Sequence, residues 1–144
     1  MARPNSLAGG QWSPKDLLAH IAFWEELALE ALDDWRAGRR PEMESITDGG
    51  PAATDLANLR NWERSVRDSL EQTSNRASSA HLRLLRSIRE LTDDEWASTP
   101  PYPNPSMATL AELLGGITAA PDGPFRHAFA HLDELRAYAQ SLQA

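Results

Sequence analysis

The chain has 144 residues, enough for one domain that buries a core without disulfides. Hydrophobic residues make up 41% and charged residues 24%, which excludes a disordered chain, and the net charge of −7 argues against the basic surface that nucleic acid or an anionic membrane requires. There is no cysteine, so disulfide frameworks, thiol nucleophiles and thiolate metal sites are excluded together.

Residues 1–12, ending in Gly9-Gly10-Gln11 and Trp12, read as a loose tail. Ser13 is a good N-cap, Pro14 suits the first helical position, and Asp16 lies in the first turn, so a helix starts there. Leu17, Ile21, Trp24, Ala28, Ala31 and Trp35 recur at the spacing of one helical face, and Gly38 ends it. Residues 41–53, with Asp48-Gly49-Gly50-Pro51, read as a loop. Thr54 and Asp55 open a second helix with Leu56, Leu59, Trp62 and Val66 on its apolar stripe.

Ser69 with Gln72 resembles a capping box and starts a third helix, with its stripe at Leu70, Ser74, Ala77, His81, Leu84, Ile88 and Leu91. A single helix over 54–91 would be roughly 57 Å long at 1.5 Å per residue, so a break is expected. Thr92 to Glu95 is another capping box, before a short turn carrying Trp96. Pro100, Pro101, Pro103 and Pro105 stiffen the next loop. Leu110, Leu113, Leu114 and Ile117 mark a short helix that ends at Gly115-Gly116 or shortly after. Asp122 caps a last helix with Phe125, Ala128, Leu132, Leu135 and Leu142 on its apolar side. No segment alternates with the period of a strand. The expected fold is all-α, an antiparallel helical bundle with long connections, forming one domain over 1–144.

No apolar run approaches the roughly 20 residues that span a bilayer, and no apolar stretch follows Met1 to Ser6 as in a signal peptide. A cytoplasmic location is the expectation. Lys15 is the only lysine beside thirteen arginines, which reads as coding composition. Five tryptophans suggest a generous core, a lined cavity or an interface.

All four histidines fall on helical segments. His127 and His131 are four apart, so their imidazoles project from one helix face a turn apart and can reach one metal ion. A third histidine on a facing helix would complete a facial set with open positions for water or substrate, and His20 sits on or beside the buried face of the first helix. Neutral imidazole suits zinc, nickel, iron or copper. The same spacing also fits two surface histidines and a hydrogen-bonded core histidine. The pair is not HExxH, because position 128 is alanine; Glu134 is either a replacement base or a solvated or capping carboxylate. His81, Trp24 and Trp62 are candidates for a pocket lining and equally for core packing. Asn58 and Asn61 read as polar-face residues. The paired glycines lack phosphate-loop spacing, and no serine lies in a GxSxG elbow.

Gln11-Trp12-Ser13-Pro14-Lys15-Asp16-Leu17-Leu18-Ala19-His20-Ile21, followed by Trp24-Glu25, resembles the "W-S-x-K-D-L-L-A-H" helix of the DinB/YfiT-like superfamily. Leu91-Thr92-Asp93-Asp94-Glu95 resembles the "L-T-D-E-E" turn after that family's third helix, and His127 to His131 resembles its late HxxxH. The detail at Trp24-Glu25 and from Asp55 to Asn58 is most similar to the ClbS/DfsB-like branch, with mycothiol-dependent maleylpyruvate isomerase-like proteins second. The resemblance implies a four-helix bundle, often dimeric, with a divalent metal, zinc or nickel, on His20, His127 and His131. It also implies a small-molecule substrate, no nucleic-acid or membrane partner, and a homodimer. The implied activity is a metal-dependent hydrolase or a transferase using an external low-molecular-weight thiol on a small electrophile. The alternative is a ClbS/DfsB-like protein that sequesters or hydrolyses a reactive metabolite without metal. Three departures stand out: about ten residues that read as loose stand where the family usually carries a whole helix before the first motif, Ala128 replaces a tyrosine frequent in the ClbS-like branch, and Pro121 to Pro124 interrupts the approach to the last helix. A bundle short of one helix leaves an apolar groove for its own second helix or a partner subunit to cover.

Overall fold

The computed structural model describes residues 12–119 and 123–141. Among them the chain is helical with no β-strand: α1 (Pro14–Arg36), α2 (Glu42–Asp48), α3 (Gly50–Ser65), α4 (Leu70–Glu90), α5 (Asp93–Trp96), α6 (Leu110–Ile117), α7 (His127–Ala130) and α8 (Leu132–Ser141). The sequence signals for α1, α4 and α5 are all realised as complete capping boxes, at Ser13 with Asp16, Ser69 with Gln72 and Thr92 with Glu95. Each box satisfies two backbone N–H groups that a helix start leaves without partners. The expected break between the second and third helices falls between Ser65 and Leu70.

α1 is the central helix, packed by α3, α4 and α6. Tie points fix the directions of these neighbours. Lys15, at the start of α1, donates from Nζ to the carbonyls of Ser65 (3.0 Å) and Val66 (3.3 Å) at the end of α3, so α3 runs antiparallel to α1. Arg76, early in α4, pairs with Glu26 at 2.6 Å, and α5 meets the end of α1 through Arg36 and Glu95 (3.0 Å), so α4 runs parallel to α1. α6 returns toward the start of α1. α1, α3, α4 and α6 therefore alternate in direction along the chain, as in an up-down bundle. Leu32, Trp35, Leu84, Leu91, Leu110, Leu113 and Leu114 fill its core.

Two expectations about the helix faces are corrected. Leu56 and Leu59, 45% and 49% exposed, point outward together with Val66, while Asn61 and Ser65 are buried against α1. The α3–α1 seam is polar: Asn61 donates to the Ala19 carbonyl (3.3 Å) and accepts from Arg76 (3.2 Å). Short polar side chains with satisfied partners allow this close contact, and Asn61 is not a solvated polar-face residue. On α4 the buried row is Thr73, Ala77, Ala80 and Leu84, rotated from the expected stripe, and Leu70 and His81 are exposed.

The expected loop over 41–53 instead contains α2, and α3 begins at Gly50-Pro51 rather than at Thr54. Glu44 is fully buried and accepts from Arg40 (2.8 Å), the Tyr102 hydroxyl (2.9 Å) and the Ser106 amide (3.3 Å). Tyr102 and Ser106 reach it from the proline-rich stretch after α5, so α2 is held by tertiary contacts that local propensity does not reveal. Desolvation, followed by the hydrogen bond to Glu44, pushes the Tyr102 phenol well up from its ordinary value.

The last helix is also corrected. It starts at His127 and is interrupted at His131, whose backbone leaves the regular ladder between α7 and α8. Phe125, read as apolar-face, has a positive φ of 57° and is 43% exposed. Asp122, the expected cap, and Leu142 lie outside the described residues.

The Lys15 contact generates a stability prediction, because the last carbonyls of a helix have no partners of their own and attract a cation. Lys15→Met keeps most of the aliphatic stem and removes the ammonium. It should cost about 1–2 kcal/mol in urea unfolding. Unchanged stability would show that water serves these carbonyls equally well.

Candidate metal centre

His20 lies in the second turn of α1 and is 2% exposed. Its ring is flanked by Trp12, with centroids 5.1 Å apart, and by Trp24 at 6.3 Å. Trp12 is therefore part of the site and not of a loose tail; it is buried. The Trp24 indole donates to Asn58 Oδ1 at 3.0 Å, which ties α1 to α3 beside the histidine.

The chain returns to this point after α6. The His127 amide donates to the Thr118 carbonyl at 2.9 Å, which fixes the start of α7 against the end of α6. His127 Nε2 then lies 3.0 Å from His20 Nε2 and 3.4 Å from His131 Nε2. A ligand nitrogen from each of the three rings lies within 4.8 Å of the others. Nitrogens bound to one ion at about 2.0–2.1 Å would be about 3.3–3.4 Å apart at a tetrahedral angle and about 2.9–3.0 Å at a right angle. Both close separations fall on these edges.

The tautomers follow from the surroundings. His131 Nδ1 lies 3.1 Å from Glu134 Oε2. A carboxylate only accepts, so Nδ1–H donates and the neutral ring carries its lone pair on Nε2, toward His127. Glu134 thus acts on His131 as an orienting partner. His20 Nδ1 is buried without a hydrogen-bond partner among the described residues.

Burial, reinforced by His127 and then His131, lowers the His20 pKa to about 3, against a weaker opposing effect of the Asn58 side chain. Burial and His131 lower that of His127 to about 4. His20 and His127 therefore rest as uncharged imidazoles, the form that ligates metal.

The histidines line a cavity of about 550 Å³ between α1, α2, α3, α6 and α7. Trp24, Met43, Pro51 and Ile117 supply apolar walls, and Thr47, Thr54, Asp55 and Asn58 supply polar groups. The expected lining residue Trp24 is present. Trp62 is half-buried elsewhere on α3, and His81 is exposed on the α1–α4 seam, 2.9 Å from Glu25; neither is among the residues lining this cavity. Sequence reasoning missed Trp12, Asp55 and Asn58 as site residues. Thr54, Asp55 and Asn58 share one helix face by their i, i+3 and i, i+4 spacing, which was an available signal. A second cleft of about 500 Å³ lies on the other side of α3 and is lined by Arg60, Arg64 and Arg76 with Glu26, Glu30 and Glu42.

A family model described as the DinB superfamily matches residues 2–120. The match includes His20 and ends before His127 and His131. No curated protein and no solved structure matches the chain.

The lowered histidine values have a thermodynamic consequence. Between the ordinary imidazole value near 6.5 and the folded values near 3 and 4, the unfolded chain binds protons that the folded chain refuses. Stability of chelator-treated protein is therefore intact above pH 6.5 and falls as pH drops below it, by roughly 1–2 kcal/mol per pH unit. Thermal unfolding between pH 7.5 and 5 checks this. A flat profile would contradict the burial of neutral imidazoles.

Proposed function

The chain belongs to the DinB superfamily, and on that premise we propose that it is a metal-dependent transferase or hydrolase acting on a small electrophile, with His20, His127 and His131 as ligands. The observation that carries this reading is the convergence of three buried or half-buried imidazole nitrogens at separations suited to one ion. A facial set of neutral nitrogens suits zinc or nickel. Such an ion, when bound, supplies Lewis-acid activation of a thiol or a water.

The chain's own residues have definable tasks. Glu134 holds the His131 proton at Nδ1 and keeps Nε2 free. Trp12 and Trp24 exclude water around His20 and fix its ring. The adjoining cavity is within the size range of small-molecule sites. A thiol co-substrate would come from outside, because the chain has no cysteine. Within the superfamily the ClbS/DfsB-like and mycothiol-dependent branches are the ones whose motifs the chain resembles. A second reading, a binding or resistance protein that sequesters or hydrolyses a reactive metabolite without metal, is favoured by the apolar walls Trp24, Met43 and Ile117.

Elemental analysis of untagged protein incubated with Zn²⁺ or Ni²⁺ separates the two readings. The first expects about one ion per chain, lost in His127→Ala. Glu134→Gln should bind the same ion about 10–100-fold more weakly, by competition with a chelating dye. No ion in the parent protein would sink the metal reading and leave the second.

The outward-facing Leu56, Leu59 and Val66 support a homodimer, since such a row is costly to leave in water. Sedimentation should give twice the chain mass, and Leu59→Glu should give the single-chain mass. A monomeric parent protein would contradict this.

A further inference from the structure

The histidine cavity and the neighbouring cleft are lined by different charges. The cleft without histidines mixes Arg60, Arg64 and Arg76 with Glu26, Glu30, Glu42 and Asp68. Among the described residues lining the histidine cavity there is no arginine or lysine, and Asp55 is the one carboxylate. The hydroxyls at the cavity have a fixed sense as well. Thr47 Oγ1 donates to the Met43 carbonyl at 3.0 Å, and Thr54 Oγ1 donates to the Gly50 carbonyl at 3.3 Å. Each hydroxyl proton is thus turned back into its own helix, and what remains for a ligand is an oxygen lone pair. Beside the imidazoles, the polar part of the cavity offers one carboxylate, two hydroxyl oxygens and the side-chain amide of Asn58, whose Oδ1 already accepts from the Trp24 indole. Trp24, Met43 and Ile117 add apolar contact to the same lining.

We propose that this cavity selects amphiphiles with three parts: a soft or polar head at the histidines, an apolar body along Trp24, Met43 and Ile117, and a distal hydrogen-bond donor, best a cation, at Asp55, Thr47 and Thr54. This rests on the histidines being the reactive end, as proposed above. A distal carboxylate or phosphate meets like charge at Asp55 and has only the Asn58 amide as a neutral donor to replace its water, which costs it binding. A distal ammonium or hydroxyl finds acceptors. Asp55 is exposed, so this discrimination is screened by salt. The chain's net charge of −7 acts in the same direction at long range.

The test uses six-carbon alkanethiols ending in ammonium, hydroxyl or carboxylate. Their affinities are measured on Co²⁺-loaded protein from the thiolate absorption band, and on metal-free protein by calorimetry. The ammonium probe should bind tightest and the carboxylate probe weakest, by about tenfold across the series at low salt. In Asp55→Asn the ammonium and hydroxyl probes should come within about twofold of each other. Equal or tighter binding of the carboxylate probe, or an unchanged ranking in Asp55→Asn, would overturn the proposal. Failure to take up Co²⁺ would instead count against the metal reading, and the ranking on metal-free protein would still decide the selectivity.

Discussion

Three imidazoles brought together at one buried point are the constraint on which the C-terminal part of this molecule depends. Neutral imidazoles accept such crowding, and charged ones would not. His127 can donate one Nε2 proton to one neighbour at a time, while His131 has its own proton fixed at Nδ1 by Glu134. The arrangement leaves more lone pairs than protons at its centre, which is the electronic situation of a cation site. The same contacts join α7 to α1, 107 residues apart in sequence. Disturbing the centre therefore also loosens the attachment of the last helical segments.

The rest of the fold supports that point from α1 outward. Trp24 holds Asn58, Asn61 holds the α1 backbone at Ala19, and Lys15 holds the end of α3. The W-S-x-K-D-L-L-A-H stretch thus has a physical reason at several positions. Its tryptophan covers His20, its serine and aspartate form the cap, and its lysine ties α3. The histidine is delivered two turns into a helix whose start is tightly specified.

Legibility from sequence followed the range of the interactions. The starts of α1, α4 and α5 were readable because Ser13, Ser69 and Thr92 act within three residues of themselves. The boundaries of α6 were readable for the same local reason, through its leucine spacing. α2 was not, because Glu44 finds its partners at Arg40, Tyr102 and Ser106 and two of these are distant in sequence. The face of α3 was misjudged because amphipathic patterning assumes that apolar residues point inward, whereas Asn61 and Ser65 have buried partners from α1 and α4. The HxxxH spacing placed two rings together, but spacing alone could not tell that His20 joins them and His81 does not. Only the fold decides that His20 faces α7 while His81 faces solvent beside Glu25.

The central claim is that these three imidazoles bind one divalent ion as a set. X-ray absorption at the zinc edge of protein loaded with one equivalent of Zn²⁺ tests it most directly. The expected first shell holds three imidazole nitrogens at about 2.0–2.1 Å with one or two lighter-atom ligands completing the sphere. In His20→Ala the imidazole count should fall to two. A shell of oxygen alone, or an imidazole count unchanged by His20→Ala, would contradict the shared site.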